Sequence, residues 1–208
     1  GQIETRATVG EISRKPGGWE VRAGDRVHEA RVLVNAAGAW ADRIATMAGI
    51  TPLGLQPYRR SMARIPAPGG HDVSGWPMLF GPGEAWYAKP DAGSLLVSPA
   101  EQDPVDPHDA FADDMVLAEG LARYEAHVTE PVTRLQSSWA GLRTFAPDRQ
   151  LVIGKDRGDE AFFWCAGQGG YGFQTAPAAS RLLAEVVTGT PSDLPAELKE
   201  ALRPERFA

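Results

Sequence analysis

The sequence predicts a mixed fold, α+β with an α/β portion, and three observations carry that expectation. Residues 3–36 alternate apolar and polar positions in short runs between tight turns, the pattern of a β-meander. "EAWYAKPDAGSLLVSP" (84–99) reads as a hairpin turning at "PDAG". "AFFWCA" (161–166) is an apolar run that passes through the glycine loop "GQGGYG" (167–172) into "APAASRLLAEVV" (176–187), giving strand, loop and helix in that order.

In the meander, "ATVGEISR" (7–14) turns at "KPGG" (15–18) into "WEVRA" (19–23). After "GD" (24–25) comes "VHEARVLVNAAG" (27–38), one strand ending in small residues suited to a close approach. "WADRIATMAG" (40–49) reads as a helix with Trp40, Ile44 and Met47 on one face and Gly49 at its C-terminal cap. "QPYRRSMARIPAP" (56–68) is a strand entering a different region, and "PAPGGHDVSGWP" (66–77) is loop. The acidic, proline-rich "EQDPVDPHDAFADD" (101–114) leads into a helix with Leu117, Leu121, Tyr124 and Val128 on one face. "RLQSSWAGLRTF" (134–145), "LVIG" (151–154) and "AFFWCAG" (161–167) are three further strands. The last long helix is expected to bury Leu182, Leu183, Val186 and Val187.

A chain of 208 residues, 43% hydrophobic and 23% charged, suffices for one domain with a core or two small ones. The net charge of −6 argues against nucleic acid as the main partner. The single cysteine, Cys165, stands in an apolar run, is read as a buried thiol and fits a reducing, cytoplasmic setting. No apolar run is long enough to span a bilayer, and no signal-peptide pattern is present. His28, His71, His108 and His127 are scattered, so no metal site is expected. The aspartate-rich loop lacks the glycine and final glutamate of a hand-type calcium loop. No nucleophile elbow supports hydrolase chemistry.

Gly167, Gly169 and Gly172 fit G-x-G-x-x-G, the dinucleotide fingerprint. That fingerprint also needs a second strand carrying an acid about 20 residues on. Here the helix runs out at "TGTPSD" (188–193), and the polar "LPAELKEALRPERFA" that follows has no β-branched run. The remaining readings are a glycine-lined helix start that a flat or anionic ligand approaches, and a bare strand-to-helix turn. Arg143, in "SSWAGLRTFAPD", shares a strand face with Gly141 and Phe145; it is either a snorkelling surface arginine or a buried anion clamp. Arg60 in "YRRSM" poses the same choice, with Arg59 beside it, and Tyr87 reads equally as a core tyrosine with a satisfied hydroxyl.

"RVLVNAAGAWADRIA", "SSWAGLRTFAPDRQLVIG" and "FFWCAGQGGYGFQTAPAASRLLAEVV" resemble, in this order, segments of the D-amino-acid oxidase superfamily of FAD-dependent oxidoreductases. "QPYRRSM", "WPMLF", "YAKPDAGSLLVSPAEQDPVDPHD" and "GQGGYGFQTAPA" are most similar to its D-arginine dehydrogenase and glycine oxidase-like members. The resemblance implies a partial FAD-binding domain of the glutathione-reductase-like type, formed by 1–56 and 137–208, and an antiparallel-sheet substrate-binding domain, 57–136. The Rossmann half that precedes these segments in the family is missing, so the chain reads as the C-terminal portion of an oxidoreductase that turns D-amino acids into imino acids. Glycine- or sarcosine-type secondary amine oxidation, and a non-catalytic remnant needing a partner chain, are the alternatives.

By the same resemblance Arg60, Tyr87 and Arg143 bind the substrate carboxylate, and Gly170 offers its carbonyl to the amine. Ala37, Gly38, Trp40, Gly141, Gly169, Gly170, Tyr171, Gly172, Phe173 and Gln174 lie at the flavin. A cysteine carries the flavin covalently in sarcosine oxidases; Gly141 stands at that position, so non-covalent FAD is implied, held weakly or not at all by this chain alone. The expected partners are an amino acid or amine, and either a second copy of the chain or the missing half.

Overall fold

The computed structural model describes residues 1–207. The chain divides into two compact units, one made of Gly1–Gln56 with the chain from Thr144 onward, the other of Pro57–Arg143.

In the first unit β1 (Val9–Lys15), β2 (Gly18–Ala23) and β3 (Arg26–Ala30) form an antiparallel sheet in that order, with Arg14 opposite Trp19 and Val21 opposite His28. The single strand expected over 27–38 does not form. β3 ends at Ala30, and β4 (Leu33–Asn35) joins another sheet, lying parallel to β12 (Phe162–Ala166) with Leu33 opposite Phe162. The cause is the change of side chains at Arg31. Every residue of β3 is exposed, whereas β4 ends on the buried Asn35. β11 (Val152–Lys155) runs antiparallel on the other side of β12.

The core of this unit gathers Ile12, Trp19, Ala41, Ala45, Ile50, Leu55, Val152, Phe162 and Trp164. Phe162 meets Trp19 and Trp164 edge-on, with ring centroids 5.8 and 5.3 Å apart. Both indole N–H groups are satisfied, Trp19 Nε1 by the Ala161 carbonyl at 3.0 Å and Trp164 Nε1 by Asp156 Oδ1 at 2.9 Å. Burying such a ring stabilises the fold by roughly 2–3 kcal/mol, and the hydrogen bonds remove the cost of hiding the nitrogen.

α1 (Ala41–Met47) follows a 3-10 turn, and Gly49 just beyond it has φ +72°. The buried face of α1 is Ala41 and Ala45; Trp40 and Met47 are exposed. Small residues let the helix sit close on the sheet, which the apolar spacing of Trp40, Ile44 and Met47 did not reveal. α3 (Gly172–Thr188) buries Leu182 and Glu185, while Leu183 and Val187 are half-buried and Val186 is exposed. Glu185 reaches this position because Arg181 Nε donates to its carboxylate at 2.9 Å. α4 (Ala196–Leu202) and a 3-10 turn at Pro204–Phe207 complete the unit.

The second unit is built on a six-stranded sheet. β5 (Gln56–Pro66) lies between β10 (Ser137–Phe145) and β8 (Ser94–Ser98), and β7 (Tyr87–Asp91) and β6 (Leu79–Phe80) follow outward. The short β9 (Asp103–Pro104) also pairs β5 and lies inside the stretch read as loop. β7 and β8 form the expected hairpin, and the turn residues Ala92 and Gly93 both have positive φ, as a tight hairpin with right-handed strand twist requires.

α2 (Asp114–Glu125) packs on β8. Its cap is Asp113, whose Oδ1 accepts from Met115 N and Val116 N at 2.9 and 3.1 Å. Leu117 and Tyr124 are buried, and Tyr124 meets Trp86 edge-on at 5.2 Å. Val128 lies past the helix end yet still packs against this cluster. The second unit ends within β10 at Arg143, on the strand that neighbours β5 in the sheet. No described helix is long and apolar enough to cross a membrane.

Candidate functional site

In the second unit, β5 presents Arg60 and Met62 two residues apart, so strand alternation puts them on one face. Tyr87 lies opposite Ser98 on the neighbouring hairpin strand, and its ring and hydroxyl reach toward β5. The Arg60 guanidinium carbon sits 5.6 Å from the Tyr87 ring centroid. The Tyr87 hydroxyl donates to Met62 Sδ at 3.3 Å, a weak acceptor. Arg60 Nε donates to the Glu101 carbonyl at 2.9 Å, and the two terminal nitrogens have no protein partner among the described residues. Arg60 and Tyr87 are both half-buried. The structure therefore brings together two of the residues singled out from the sequence. Arg59, on the other face, is occupied by Asp103 at 2.7 Å.

Arg143 is half-buried on β10, and Gly141, two residues before it, is exposed with open space where a side chain would stand. Glu101, Ser98 and Met62 are the residues that sequence reasoning missed. Met62 was legible from its i+2 spacing to Arg60; nothing in the sequence singled out Glu101 or Ser98.

In the first unit, β12 leads through Gly167, Gln168, Gly169 and Gly170 into Tyr171, the N-cap of α3. Gly169 has φ +51° and donates its N–H to the Thr144 carbonyl at 2.8 Å. A Cβ there would stand 2.3 Å from Cε1 of Phe145. Phe145 in turn meets the Tyr171 ring edge-on at 6.2 Å and has the Arg149 guanidinium 4.9 Å from its centroid. No side chain caps the start of α3, and its first turn carries no acidic residue, so the positive end of the helix dipole is uncompensated at Gly172, Phe173 and Gln174. Gly170 is exposed, and Phe173 is fully so.

Cys165 differs from expectation. It is half-buried: with Phe163 it lies on the face of β12 opposite the core that holds Phe162 and Trp164. Burial still pushes its thiol up from the ordinary value, partly opposed by a 3.6 Å hydrogen bond from Gln168 Nε2.

Also in the first unit, Ala37, Gly38 and Trp40 form the turn between β4 and α1. The buried Asn35 braces it, taking the Ala37 N–H on Oδ1 at 3.3 Å and giving Nδ2 to the Ala41 carbonyl at 2.8 Å. No group of three or more metal-ligating side chains comes together among the described residues.

Residues 1–186 match the family model described as "FAD dependent oxidoreductase", DAO. The chain is 29% identical over 175 residues to FAD-dependent oxidoreductase domain-containing protein 1 of Bos taurus, covering 76% of this chain and 36% of that protein. Among solved structures it resembles glycine oxidase from Geobacillus kaustophilus, with a TM-score of 0.78 at 22% identity over 91% of this chain and 50% of the other. It also resembles L-proline dehydrogenase from P. horikoshii, with a TM-score of 0.76 at 21% identity over 97% and 54%. The chain thus spans about a third of the curated relative and about half of the two solved chains.

Proposed function

The chain belongs to the DAO family of FAD dependent oxidoreductases, and on that premise we propose that the intact protein oxidises a D-amino acid to its imino acid. Arg60 carries this reading: a half-buried guanidinium held through Nε with both terminal nitrogens left for a ligand. Such a fork suits a carboxylate, which it can meet with two parallel hydrogen bonds. Glycine and L-proline, after which the two structural relatives are named, also carry a carboxylate next to an amine.

FAD, the family's cofactor, supplies a hydride acceptor when bound. The first unit fits the ring end of that cofactor. The glycine loop carries no side chain at Gly167, Gly169 and Gly170 and ends on an uncapped helix start, which favours a flat group with a negative edge. The pyrophosphate end finds no such fit in this loop, because α3 is followed by α4 and a 3-10 turn rather than a second strand. Ala37, Gly38, Trp40, Gly141 and Gly169–Gln174 are the proposed flavin-facing residues, and the open space at Gly141 with no thiol supports non-covalent binding.

The protein's own part is orientation and charge. Arg60 and Arg143 hold the carboxylate and thereby fix the α-carbon. The Tyr87 hydroxyl exchanges a thioether sulfur for a carboxylate oxygen, a stronger acceptor, when substrate arrives. The amine loses its proton to solvent and offers its lone pair as the α-hydrogen departs, and the Gly170 carbonyl accepts a hydrogen bond from the amine. Residues 57–136 serve as the substrate-binding domain and the flanking segments as part of the FAD-binding domain. The lone thiol supports a reducing, cytoplasmic setting, and a second copy or a chain with the ADP-binding half is the proposed partner.

The test is anaerobic stopped-flow reduction of the full-length flavoprotein by a panel of D- and L-amino acids, glycine and sarcosine. Bleaching of the flavin by D-amino acids in preference to their L-enantiomers supports the reading. Bleaching by glycine or sarcosine alone replaces it with glycine- or sarcosine-type amine oxidation, and no bleaching by any member overturns it.

A further inference from the structure

The β5 ladder has a gap where Arg60 leaves the strand. Pairing with β8 ends at Ala63 opposite Val97, and pairing with β9 begins at Arg59 opposite Asp103. Three residues of β5 (60–62) therefore face five (98–102) on the other side. The two extra residues form a bulge in which side chains supply the hydrogen bonds around Ser61, Ser98 and Glu101. Ser98 Oγ donates to the Ser61 carbonyl at 2.8 Å and accepts from Ala100 N at 3.1 Å. Ala100 has φ +58°, an uncommon conformation for alanine. It presents Glu101 to β5 twice over: the Glu101 carboxylate accepts from Ser61 N, and its carbonyl accepts from Arg60 Nε.

We propose that Glu101 is a positioning residue for Arg60, setting that arginine to grip a carboxylate end-on through its two terminal nitrogens. The inference rests on the reading of Arg60 as a carboxylate grip. A guanidinium offers two forks, a side fork using Nε and an end fork using the terminal pair. The Glu101 carbonyl occupies Nε, so the side fork is closed and the end fork remains. That carbonyl belongs to a bulge rather than a ladder, so its place depends on what pins the bulge. The pin is the Glu101 carboxylate on Ser61 N, with Ser98 holding the carbonyl of the same serine. An arginine side chain has several rotatable bonds, and fixing its direction beforehand lowers the ordering cost of binding.

The experiment measures KM for the best amino-acid substrate and the limiting rate of flavin reduction in the full-length, FAD-loaded protein. Variants are Arg60→Met, Glu101→Ala, Glu101→Gln and the double Arg60→Met/Glu101→Ala. Arg60→Met should raise KM strongly, which tests the grip itself. Glu101→Ala should raise KM about tenfold with the limiting rate changed less than about twofold, and should add nothing once Arg60 is gone. Glu101→Gln, whose amide oxygen still accepts from Ser61 N, should restore most of the affinity. Should Glu101→Ala lose its flavin, Ser98→Ala takes its place under the same criteria. If Arg60→Met raises KM while Glu101→Ala leaves it unchanged, or if the two effects add fully, the positioning role is wrong and the grip stands. If Arg60→Met leaves KM unchanged, both fall.

Discussion

The Phe145 ring stands where a side chain on residue 169 would go: a Cβ there would lie 2.3 Å from Cε1 and 2.7 Å from Cδ1 of the ring. With φ at +51° and its N–H bound to the Thr144 carbonyl, Gly169 fixes the course of the loop before α3. The motif glycine therefore has a packing role that is independent of any ligand.

Gly169→Ala is expected to strain the loop by the backbone alone at about 1 kcal/mol, and by the ring contact in addition. Flavin loading of the full-length protein should fall several-fold, and Tm should drop by at least about 2 °C. Phe145→Leu placed in the Gly169→Ala background should recover part of the loss, because the smaller side chain vacates the contested space. Unchanged loading and Tm in Gly169→Ala would show that the loop relaxes freely.

A polypeptide of these 208 residues by itself should bind FAD weakly or not at all. Its glycine loop lacks the second strand of a phosphate-binding unit, so the anionic half of the cofactor has no matching helix start there. Gel filtration followed by an absorbance scan decides it. Near-stoichiometric flavin travelling with the polypeptide contradicts the prediction.

Arg143→Met should lower kcat/KM of the full-length enzyme by at least about 100-fold, the order expected for losing a charged hydrogen-bonded pair near 3 kcal/mol. Methionine keeps the bulk and removes the fork. Arg59→Met should do little, since Arg59 is engaged with the half-exposed Asp103 at 2.7 Å. Near-normal kcat/KM in Arg143→Met for every amino acid tested would leave Arg143 as a structural arginine.

Asp148 and Arg206 give a pH-dependent contribution to stability. Arg206 Nε and Nη2 donate to the two carboxylate oxygens of Asp148 at 2.6 and 3.1 Å, and this hydrogen bonding holds the Asp148 carboxyl below the usual carboxylate range. A lowered folded-state value means the stabilisation is present above the unfolded carboxyl's titration and is lost as pH falls through the folded one. The carboxylate is about a third exposed, so solvent screening limits the pair to about 0.5–1 kcal/mol. Asp148→Asn should therefore lower Tm at pH 7, and the difference from the parent should shrink steadily below about pH 4. A difference that persists undiminished at low pH would assign the effect to packing instead.

Local pattern made much of this protein legible. The hairpin at 87–98, the capped helix after Asp113 and the strand–glycine–helix passage at 162–188 each obey rules of neighbours in sequence, and each formed. The segment order also sufficed to name the family. What the sequence could not supply was anything decided by distant partners. The run 27–38 broke into two strands because Leu33–Asn35 found β12, some 130 residues away, a partner no local window contains. Trp40 and Met47 faced outward because a helix approaches a sheet most closely over alanines, so Ala41 and Ala45 took the buried face. Arg60 and Tyr87 were visible as candidates, but strand order alone set the guanidinium over the ring. Glu101 was invisible, because its role comes from a two-residue mismatch between strands paired across the sheet. Periodicity reports which residues prefer to be buried; only pairing across the chain fixes what they are buried against, and the direction of a charged side chain follows from that pairing.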